Sequence, residues 1–291
     1  MRTPLVRLWA WEFPLFLKLE SLQVTGSFKP RGAFNHILRN REACAGGVIT
    51  ASSGNHGQAV AYAARELGVR CVVVLPEDVV PTKLRAIERL GAEVVRCGRT
   101  TAERIALALR LAQEQGLHYV PPFDDPDVIA GQGTVGLELL EQCPQVKRIY
   151  VPCGGGGLIS GIAVAVKALN PEVRLIGVEP EGAACFFASR RAGSRVRLHR
   201  VETVADGLRA AEPGELPWGI ASQLVDAFVT VPENEILSAT RLLLLEGKVL
   251  AEPSGAVSVA AALLDTPQVP SVAVVSGGNI DPTLLTSLLA S

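Results

Sequence analysis

The sequence predicts an α/β protein built on mainly parallel sheets. Short runs rich in β-branched residues alternate with longer segments whose apolar side chains recur at helical spacing, and such alternation is typical of βαβ units. Clusters of glycine and serine follow several of the predicted strands, at the position where ligands bind in parallel sheets. At 291 residues the chain is long enough for two domains or one large one.

The first half of the chain contains three predicted strands, each followed by a helix. The run VRCVVVLP is apolar almost throughout, as expected for a strand that is covered on both faces. The segment AERIALALRLAQEQG instead repeats its apolar side chains at helical spacing. In order, the predictions are strand 46–51, helix 57–68, strand 69–76, helix 83–91, strand 92–97 and helix 102–116.

The second half continues this pattern up to a final strand. The run RIYVPC leads into four glycines and then into an apolar helix, and VRLIGVEP again has the composition of a buried strand. The predictions here are helix 133–142, strand 148–153, helix 158–170, strand 173–180, strand 226–231, helix 233–247, helix 255–264 and strand 271–278.

The composition argues against several classes of protein. The formal net charge is −1, so no overall attraction draws the chain to nucleic acid or to anionic membranes. No apolar run approaches the roughly 20 residues that a transmembrane helix needs, and the N-terminus has no signal-peptide pattern. The six cysteines are scattered without a CxxC pair, which predicts free thiols in a reducing, cytoplasmic compartment.

Four consecutive glycines, Gly154–Gly157, form the strongest local signal. They lie between a predicted strand and a helix that begins near Leu158, so backbone N–H groups and the helix N-terminus can close on an anion. The spacing is neither GxGxxG nor a P-loop with GK[ST], which disfavours a dinucleotide or a triphosphate. The loop therefore predicts a site for a single phosphate monoester.

Two further polar clusters follow predicted strands. Ser52, Ser53, Asn55 and His56 place hydroxyl, amide and backbone donors at the start of a helix, and this arrangement suits a carboxylate. A simple helix N-cap is the alternative interpretation of the same residues. After the last strand, Ser276 and two glycines offer a neutral hydroxyl as a hydrogen-bond partner.

Lys29 is the lysine whose surroundings stand out. It lies in the segment TGSFKPRGAF, among small and turn-forming residues. Pro30 disfavours helical backbone for the residue before it and suits the first turn of a helix, so Lys29 is predicted at a junction between loop and helix. An amine has an ordinary pKa of about 10.4, and desolvation or nearby cations lower it until the amine becomes a nucleophile or a base. A surface lysine is the alternative interpretation.

Together these segments resemble the fold-type II pyridoxal-phosphate enzymes, and within them the family of threonine/serine dehydratases (deaminases) and serine racemases. The matching segments occur in the family's order and span nearly the whole chain. They are KLESLQVTGSFKPRGAFN, ASSGNHGQAVAYAA, YVPPFDDPDVIAGQGTVGLELLEQ, VPCGGGGLISGIA, LIGVEP, TVADGLR, AEPSGAVSVAAALL and SGGNID.

The resemblance implies a role for each matching residue. Lys29 would bind the cofactor, pyridoxal 5'-phosphate, as a Schiff base and take the Cα proton of the substrate, with Ser53 as a catalytic residue on the opposite face. Phe28 would pack against the cofactor, Asn55 would bond its 3′-oxygen and Ser276 its pyridine nitrogen. The implied cofactor site also includes Glu252 and the loop of Gly154, Gly155, Gly156, Gly157 and Leu158, and the implied substrate site comprises Ser52, Ser53, Gly54, Asn55 and His56.

The resemblance also implies a two-domain architecture similar to the tryptophan synthase β-subunit. Parallel-rich twisted sheets would be flanked by helices, with the cofactor in the cleft between the domains. The large domain is expected to comprise residues 1–41 and 125–291, and the small domain residues 42–124. A small amino acid is the implied substrate, and a homodimer or homotetramer the implied assembly.

The implied reaction is the β-elimination of water from L-threonine or L-serine, which yields 2-oxobutanoate or pyruvate and ammonia. A neutral serine at the pyridine nitrogen makes the ring a weaker electron sink than a carboxylate would, which favours prompt elimination over transamination. Serine racemase and a threonine synthase-like β/γ-replacement enzyme remain alternatives. The threonine synthases usually have DRG after the lysine, whereas Lys29 is followed by PRG. A nucleotide-binding module and a pyridoxal-phosphate binder without turnover are more distant alternatives.

A bound cation is a further expectation. Serine racemases of the family hold a divalent ion with a Glu, a carbonyl four residues on and an Asp six residues on, which here correspond to Glu179, Ala183 and Cys185. Replacement of the carboxylate by a thiol weakens a site for a hard cation. The sequence therefore allows a monovalent or divalent ion at Glu179 and Ala183 and favours a dehydratase over a racemase.

Overall fold

The computed structural model describes residues 1–9, 11–98 and 100–290. The chain divides into two compact units. The larger unit comprises Met1–Phe28 and Gln132–Ser291, and the smaller unit is the continuous segment Lys29–Gly131.

The described residues form strands and helices that alternate along most of the chain. The strands are β1 (Leu5–Arg7), β2 (Leu15–Leu19), β3 (Val48–Ala51), β4 (Cys71–Leu75), β5 (Glu93–Arg96), β6 (His118–Tyr119), β7 (Arg148–Pro152), β8 (Arg174–Pro180), β9 (Ala227–Val231) and β10 (Ser271–Val275). The helices are α1 (Lys29–Arg39), α2 (Asn55–Glu66), α3 (Pro81–Glu88), α4 (Thr101–Gln115), α5 (Pro126–Gln142), α6 (Gly157–Leu169), α7 (Cys185–Ala192), α8 (Glu215–Leu224), α9 (Glu233–Leu245), α10 (Pro253–Asp265) and α11 (Pro282–Ala290).

The larger unit contains a sheet of strand order β1-β2-β10-β7-β8-β9, in which β1 is antiparallel to β2 and the other neighbours are parallel. Successive residues of a strand point to opposite faces, so β7 serves two hydrophobic cores. Tyr150 packs with α10 on one face, whereas Ile149 and Val151 pack with α6 on the other. Both faces are covered, and this explains the continuous apolar runs of its central strands.

The smaller unit contains a fully parallel sheet of strand order β5-β4-β3-β6. Val73 and Leu75 of β4 lie in the core on the side of α2, and Val72 and Val74 lie in the core on the side of α4. In both units the parallel arrangement brings the loops that follow the strands to one edge of the sheet. The predicted α/β fold class is confirmed.

Several elements differ from the sequence prediction. The strands β1, β2 and β6 and the helices α7, α8 and α11 were not predicted, and α5 begins at Pro126 rather than at residue 133. The early start follows from Asp125, whose carboxylate accepts a hydrogen bond from Val128 N at 2.8 Å and caps the helix. The predicted domains divide the chain at residues 41/42 and 124/125, whereas the compact units divide it at 28/29 and 131/132, because α1 packs against α2.

The described helices are too short or too polar to cross a bilayer.

Candidate active site

The glycine loop of the larger unit connects β7 to α6. Gly156 has φ +95°, and a Cβ added there would lie 2.3 Å from Cζ of Phe186 and 2.7 Å from Cβ of Pro217. A Cβ on Gly154 would lie 3.0 Å from Cα of Leu208. A side chain is therefore excluded at Gly156 and would be tightly packed at Gly154, so the backbone itself forms the surface of the loop.

The main-chain N–H groups of this loop are available to a ligand. From Gly154 to Leu158, none of them donates to an acceptor among the residues that the structure describes. The loop carbonyls are held, because Gly155 O accepts from Gly214 N at 3.1 Å and Gly156 O accepts from Ser160 N at 3.0 Å. Buried N–H groups at the start of α6, without a protein acceptor, fit a phosphate group.

Ser276 follows β10 and is buried in the larger unit. Its hydroxyl donates to Ser254 O at 3.4 Å, and its carbonyl accepts from Phe28 N at 3.1 Å. The next carbonyl, Gly277 O, accepts from Glu252 N at 3.1 Å. The structure thus brings together Phe28, Glu252 and Ser276, which the sequence assigned to the cofactor site.

A chain of contacts joins Ser276 to the glycine loop. Ser254 Oγ accepts from Gly207 N at 2.9 Å, and the neighbouring Leu208 lies against Gly154. Sequence reasoning did not assign a role to Ser254 or Gly207. Both belong to segments, AEPSGAVS and TVADGLR, that carried the family resemblance.

Lys29 is the first residue of α1 in the smaller unit, as its position before Pro30 predicts. Its Nζ donates to the carbonyl oxygen of Pro122 at 2.7 Å. Burial lowers the pKa of the Lys29 amine to about 8. About one tenth of the amine is therefore uncharged at pH 7, compared with far less at the ordinary pKa, and the uncharged state is the one that attacks an aldehyde. Pro122 was not found from the sequence, because its contact uses a main-chain carbonyl that every residue carries.

The predicted carboxylate site lies between β3 and α2 of the same unit. Ser52, Ser53 and Gly54 form a partly exposed loop, and α2 begins at Asn55. Ser52 Oγ accepts from Gly54 N at 3.3 Å. A Cβ on Gly57 would lie 2.0 Å from the Ser52 carbonyl oxygen, so the tight entry into α2 requires glycine there. The predicted donors are consequently gathered at one helix N-terminus.

His56 is turned away from this loop. Its Nε2 lies 3.0 Å from Val120 O, and because a carbonyl only accepts, Nε2 carries the proton. Burial, together with the nearby Lys29 charge, lowers the pKa of His56 to about 3. The imidazole is therefore neutral near pH 7, and its contribution to substrate binding is expected from the main-chain N–H rather than from the ring.

Glu179 and Ala183, the predicted cation ligands, lie near the start of α7. Both are buried. The Glu179 carboxylate accepts from Phe186 N at 2.8 Å and from Phe187 N at 2.7 Å. Burial raises the pKa of Glu179 to about 7, and burial also raises the pKa of the Cys185 thiol. Both carboxylate oxygens thus cap α7, and cation binding by these residues stays a prediction.

Glu179 makes the folding stability depend on pH. Its folded pKa of about 7 exceeds the ordinary 4.5, so the folded state holds a proton in this window that the unfolded state has lost. Relative to Glu179→Gln, we expect the wild-type free energy of unfolding to fall by about 3 kcal/mol from pH 4.5 to pH 7.5. Urea unfolding across this range measures the difference.

The control for this experiment is Glu181→Gln, which removes the same charge at an exposed position. Its stability difference from wild type is expected to stay nearly constant with pH. A Glu179→Gln difference that also stays constant would mean that folding does not raise the pKa of Glu179.

Comparisons with known proteins agree with this geometry. The family model described as "Pyridoxal-phosphate dependent enzyme" matches residues 1–277. The L-threonine ammonia-lyase of Thermotoga maritima is 44% identical over 278 residues, which are 94% of this chain and 69% of the relative. The serine racemase of Oryza sativa subsp. indica is 41% identical over 276 residues, or 92% and 81% of the two chains. The processed form of threonine deaminase isoform 2 from Solanum lycopersicum superposes with a TM-score of 0.95 at 38% identity. The superposed region covers 100% of this chain and 88% of the deaminase chain.

Proposed function

The chain belongs to the family of pyridoxal-phosphate dependent enzymes, and from this premise we propose that it is a threonine/serine ammonia-lyase. It eliminates water from L-threonine or L-serine and releases 2-oxobutanoate or pyruvate together with ammonia. The relatives named threonine ammonia-lyase match nearly the whole chain. The observation that carries the proposal is the Lys29 amine, whose pKa of about 8 suits it to both covalent attachment and proton transfer.

The residues of the chain fit the cofactor. In the larger unit, the N–H groups of Gly154–Leu158 would hold its phosphate, while the Ser276 hydroxyl would meet its pyridine nitrogen and Phe28 would pack against it. In the smaller unit, Lys29 would bind its aldehyde carbon and Asn55 its ring oxygen. When bound, the cofactor withdraws electrons from the Cα of the substrate and so makes the Cα proton removable.

The protein supplies the base and the groups that bind and orient the substrate. The Lys29 amine, held by the Pro122 carbonyl, takes the Cα proton. The N–H groups and hydroxyls of Ser52, Ser53 and Gly54 would bind the substrate carboxylate at the start of α2 and fix its orientation. We assign Ser53 to the side of the substrate opposite to the lysine.

Serine racemase is the second candidate function, because a relative of that name matches most of the chain. A racemase must return a proton to the face opposite the base, and Ser53 is the residue assigned there. The absence of a carboxylate at Cys185 favours the ammonia-lyase, since it weakens the hard-cation site expected of the racemases. A β/γ-replacement reaction would require a second substrate in addition to the amino acid.

The function is tested by measuring 2-oxo acid and ammonia release from L-threonine and L-serine, with and without added pyridoxal phosphate. We expect cofactor-dependent formation of 2-oxobutanoate or pyruvate, matched by equal ammonia. D-serine formed from L-serine without 2-oxo acid would support the racemase. Bound cofactor without either product would place the reaction among the replacements.

We also propose that the protein works in a reducing, cytoplasmic compartment and forms a homo-oligomer. The six cysteines are all free, which supports the first proposal. The resemblance to the family, which implies a homodimer or homotetramer, supports the second. Analytical ultracentrifugation distinguishes a monomer from a dimer or tetramer.

A further inference from the structure

His36 forms the centre of a buried polar chain in the smaller unit. It lies seven residues after Lys29 on α1, which is two helical turns, and is 3% exposed. Its Nδ1 is 2.8 Å from Asp125 Oδ1, and its Nε2 is 2.9 Å from Nε2 of His118. The chemistry described above uses none of these three side chains.

The two contacts of His36 fix where its protons lie. A carboxylate accepts, so Nδ1 of His36 donates to Asp125. The gap between the two Nε2 atoms holds one proton, because two would bring N–H groups into collision. Asp125 Oδ1 also accepts from Val128 N at 2.8 Å and is therefore anchored to the start of α5. These hydrogen bonds thus join α1, β6 and α5.

His118 and Asp125 bracket the segment that contacts the catalytic lysine. Within it, Val120 O accepts from Thr50 Oγ1 and from His56 Nε2, each at 3.0 Å, and Pro122 O accepts from Lys29 Nζ at 2.7 Å. His36 therefore bonds both ends of the segment 118–125, whose Pro122 carbonyl accepts a hydrogen bond from the Lys29 amine.

The sequence of the segment 118–125 explains why side-chain hydrogen bonds are needed to hold it. The strand β6 has two residues, and the last sheet-like bond is from Val120 N to Ile49 O at 2.9 Å. Pro121 and Pro122 follow and carry no N–H, so neither of them can donate to a ladder that would hold the Pro122 carbonyl in place. Bonds from His36 to the flanking residues supply the missing restraint.

We propose that His36, with His118 and Asp125, positions the Pro122 carbonyl against Lys29 and so acts as a positioning group for the reaction. The inference rests on the proposed function for the role of Lys29. When the hydrogen bonds of His36 to His118 and Asp125 are lost, the segment 118–125 becomes more mobile and water reaches the Lys29 amine. The pKa of this amine then rises toward its ordinary value. Less of the reactive, uncharged amine is then present near neutral pH.

Several titratable groups surround His36. His118 faces it from β6, Asp125 from the start of α5, and His56 from α2. The Asp127 carboxylate also lies within 4.8 Å of His36 and Asp125, and it is bound by Arg39 at 2.9 Å and by Asn40 at 2.8 Å. His36 thus bonds Asp125 and His118, while Arg39 and Asn40 bond the neighbouring Asp127.

The test compares His118→Phe with His118→Gln in the holoenzyme. Phenylalanine keeps the volume of the ring but cannot bond His36, whereas the glutamine amide can. For His118→Phe we expect kcat near pH 7 to fall roughly tenfold, and the acid limb of the kcat profile to move up by about one pH unit, with KM changed less than about twofold. His118→Gln should restore most of the activity, and His199→Phe, at an exposed site, serves as control.

A second readout does not depend on turnover. The visible absorbance of the bound cofactor, titrated with pH, reports the protonation of its bond to Lys29, and its midpoint is expected to shift in His118→Phe but not in His118→Gln. Identical titrations in wild type and His118→Phe would overturn the positioning role, as would equal activity losses in the Phe and Gln variants. If no protein formed 2-oxo acid while the titrations still differed, the proposed reaction would fail and the positioning role would stand.

Discussion

Lys29→Ala is expected to reduce 2-oxo acid formation by roughly 10⁴-fold, because one side chain supplies both the covalent attachment and the proton transfer. The amine lies at the start of α1 and bonds Pro122 O at 2.7 Å. Removal of an amine whose pKa is lowered by burial relieves a desolvation cost, so the fold should persist. Steady-state assays with L-threonine and L-serine, beside circular dichroism and urea unfolding, separate loss of chemistry from loss of structure.

Two further variants serve as a second test and as a control for this experiment. Lys29→Arg keeps the positive charge but cannot become an uncharged amine, and we expect it to be as inactive as the alanine variant. Lys147→Ala removes an exposed lysine of the larger unit and should leave activity unchanged. Turnover retained within about tenfold of wild type in Lys29→Ala would refute the assignment of this residue.

Gly156→Ala is expected to weaken cofactor binding by at least about 100-fold, or about 3 kcal/mol. The added Cβ would lie 2.3 Å from Phe186 Cζ and 2.7 Å from Pro217 Cβ, in a backbone of φ +95° that disfavours side chains. The loop must move to relieve these contacts, and its N–H groups then leave the arrangement that suits a phosphate. Absorbance titration with pyridoxal phosphate measures the dissociation constant.

The matched control lies nearby, in α8. A Cβ on Gly219 has no atom within 4 Å, and its φ lies outside the left-handed region. Gly219→Ala should therefore bind the cofactor normally and gain up to about 1 kcal/mol of stability from helix propensity. Wild-type affinity in Gly156→Ala would show that the loop tolerates a side chain and that its glycines serve another purpose.

The sequence predicted the parts of the candidate site that depend on unusual local composition. Four glycines after a strand, and a lysine between a Ser-Phe pair and a proline, are rare enough to be recognised without a structure. Contacts made by main-chain atoms do not require an unusual local composition, and so the contact of the Pro122 carbonyl with Lys29 was not predicted. His36 was missed because it lies on a helix face, and its partner His118 on a strand of two residues.

The missed elements have physical reasons of the same kind. The strand β2, LFLKL, contains Lys18, which is completely buried because its amine bonds Glu138 at 2.6 Å and Gln142 at 2.8 Å. A lysine normally indicates an exposed position, so the pattern concealed the strand. The helix α8 contains Pro217 and Gly219, which weaken helix propensity, and tertiary packing stabilises it instead.

The pairing of β2 with β10 has a consequence for the newly made chain. Leu15–Leu19 bonds Ser271–Val275, which is synthesised more than 250 residues later. Every strand of the smaller unit, by contrast, finds its neighbours within one continuous segment. During translation that unit can acquire its sheet first, while β2 remains without its central partner until the last strand leaves the ribosome. Early ribosome-bound chains should therefore expose the apolar side chains of β2, and this interval is when the protein is most open to aggregation or to a chaperone.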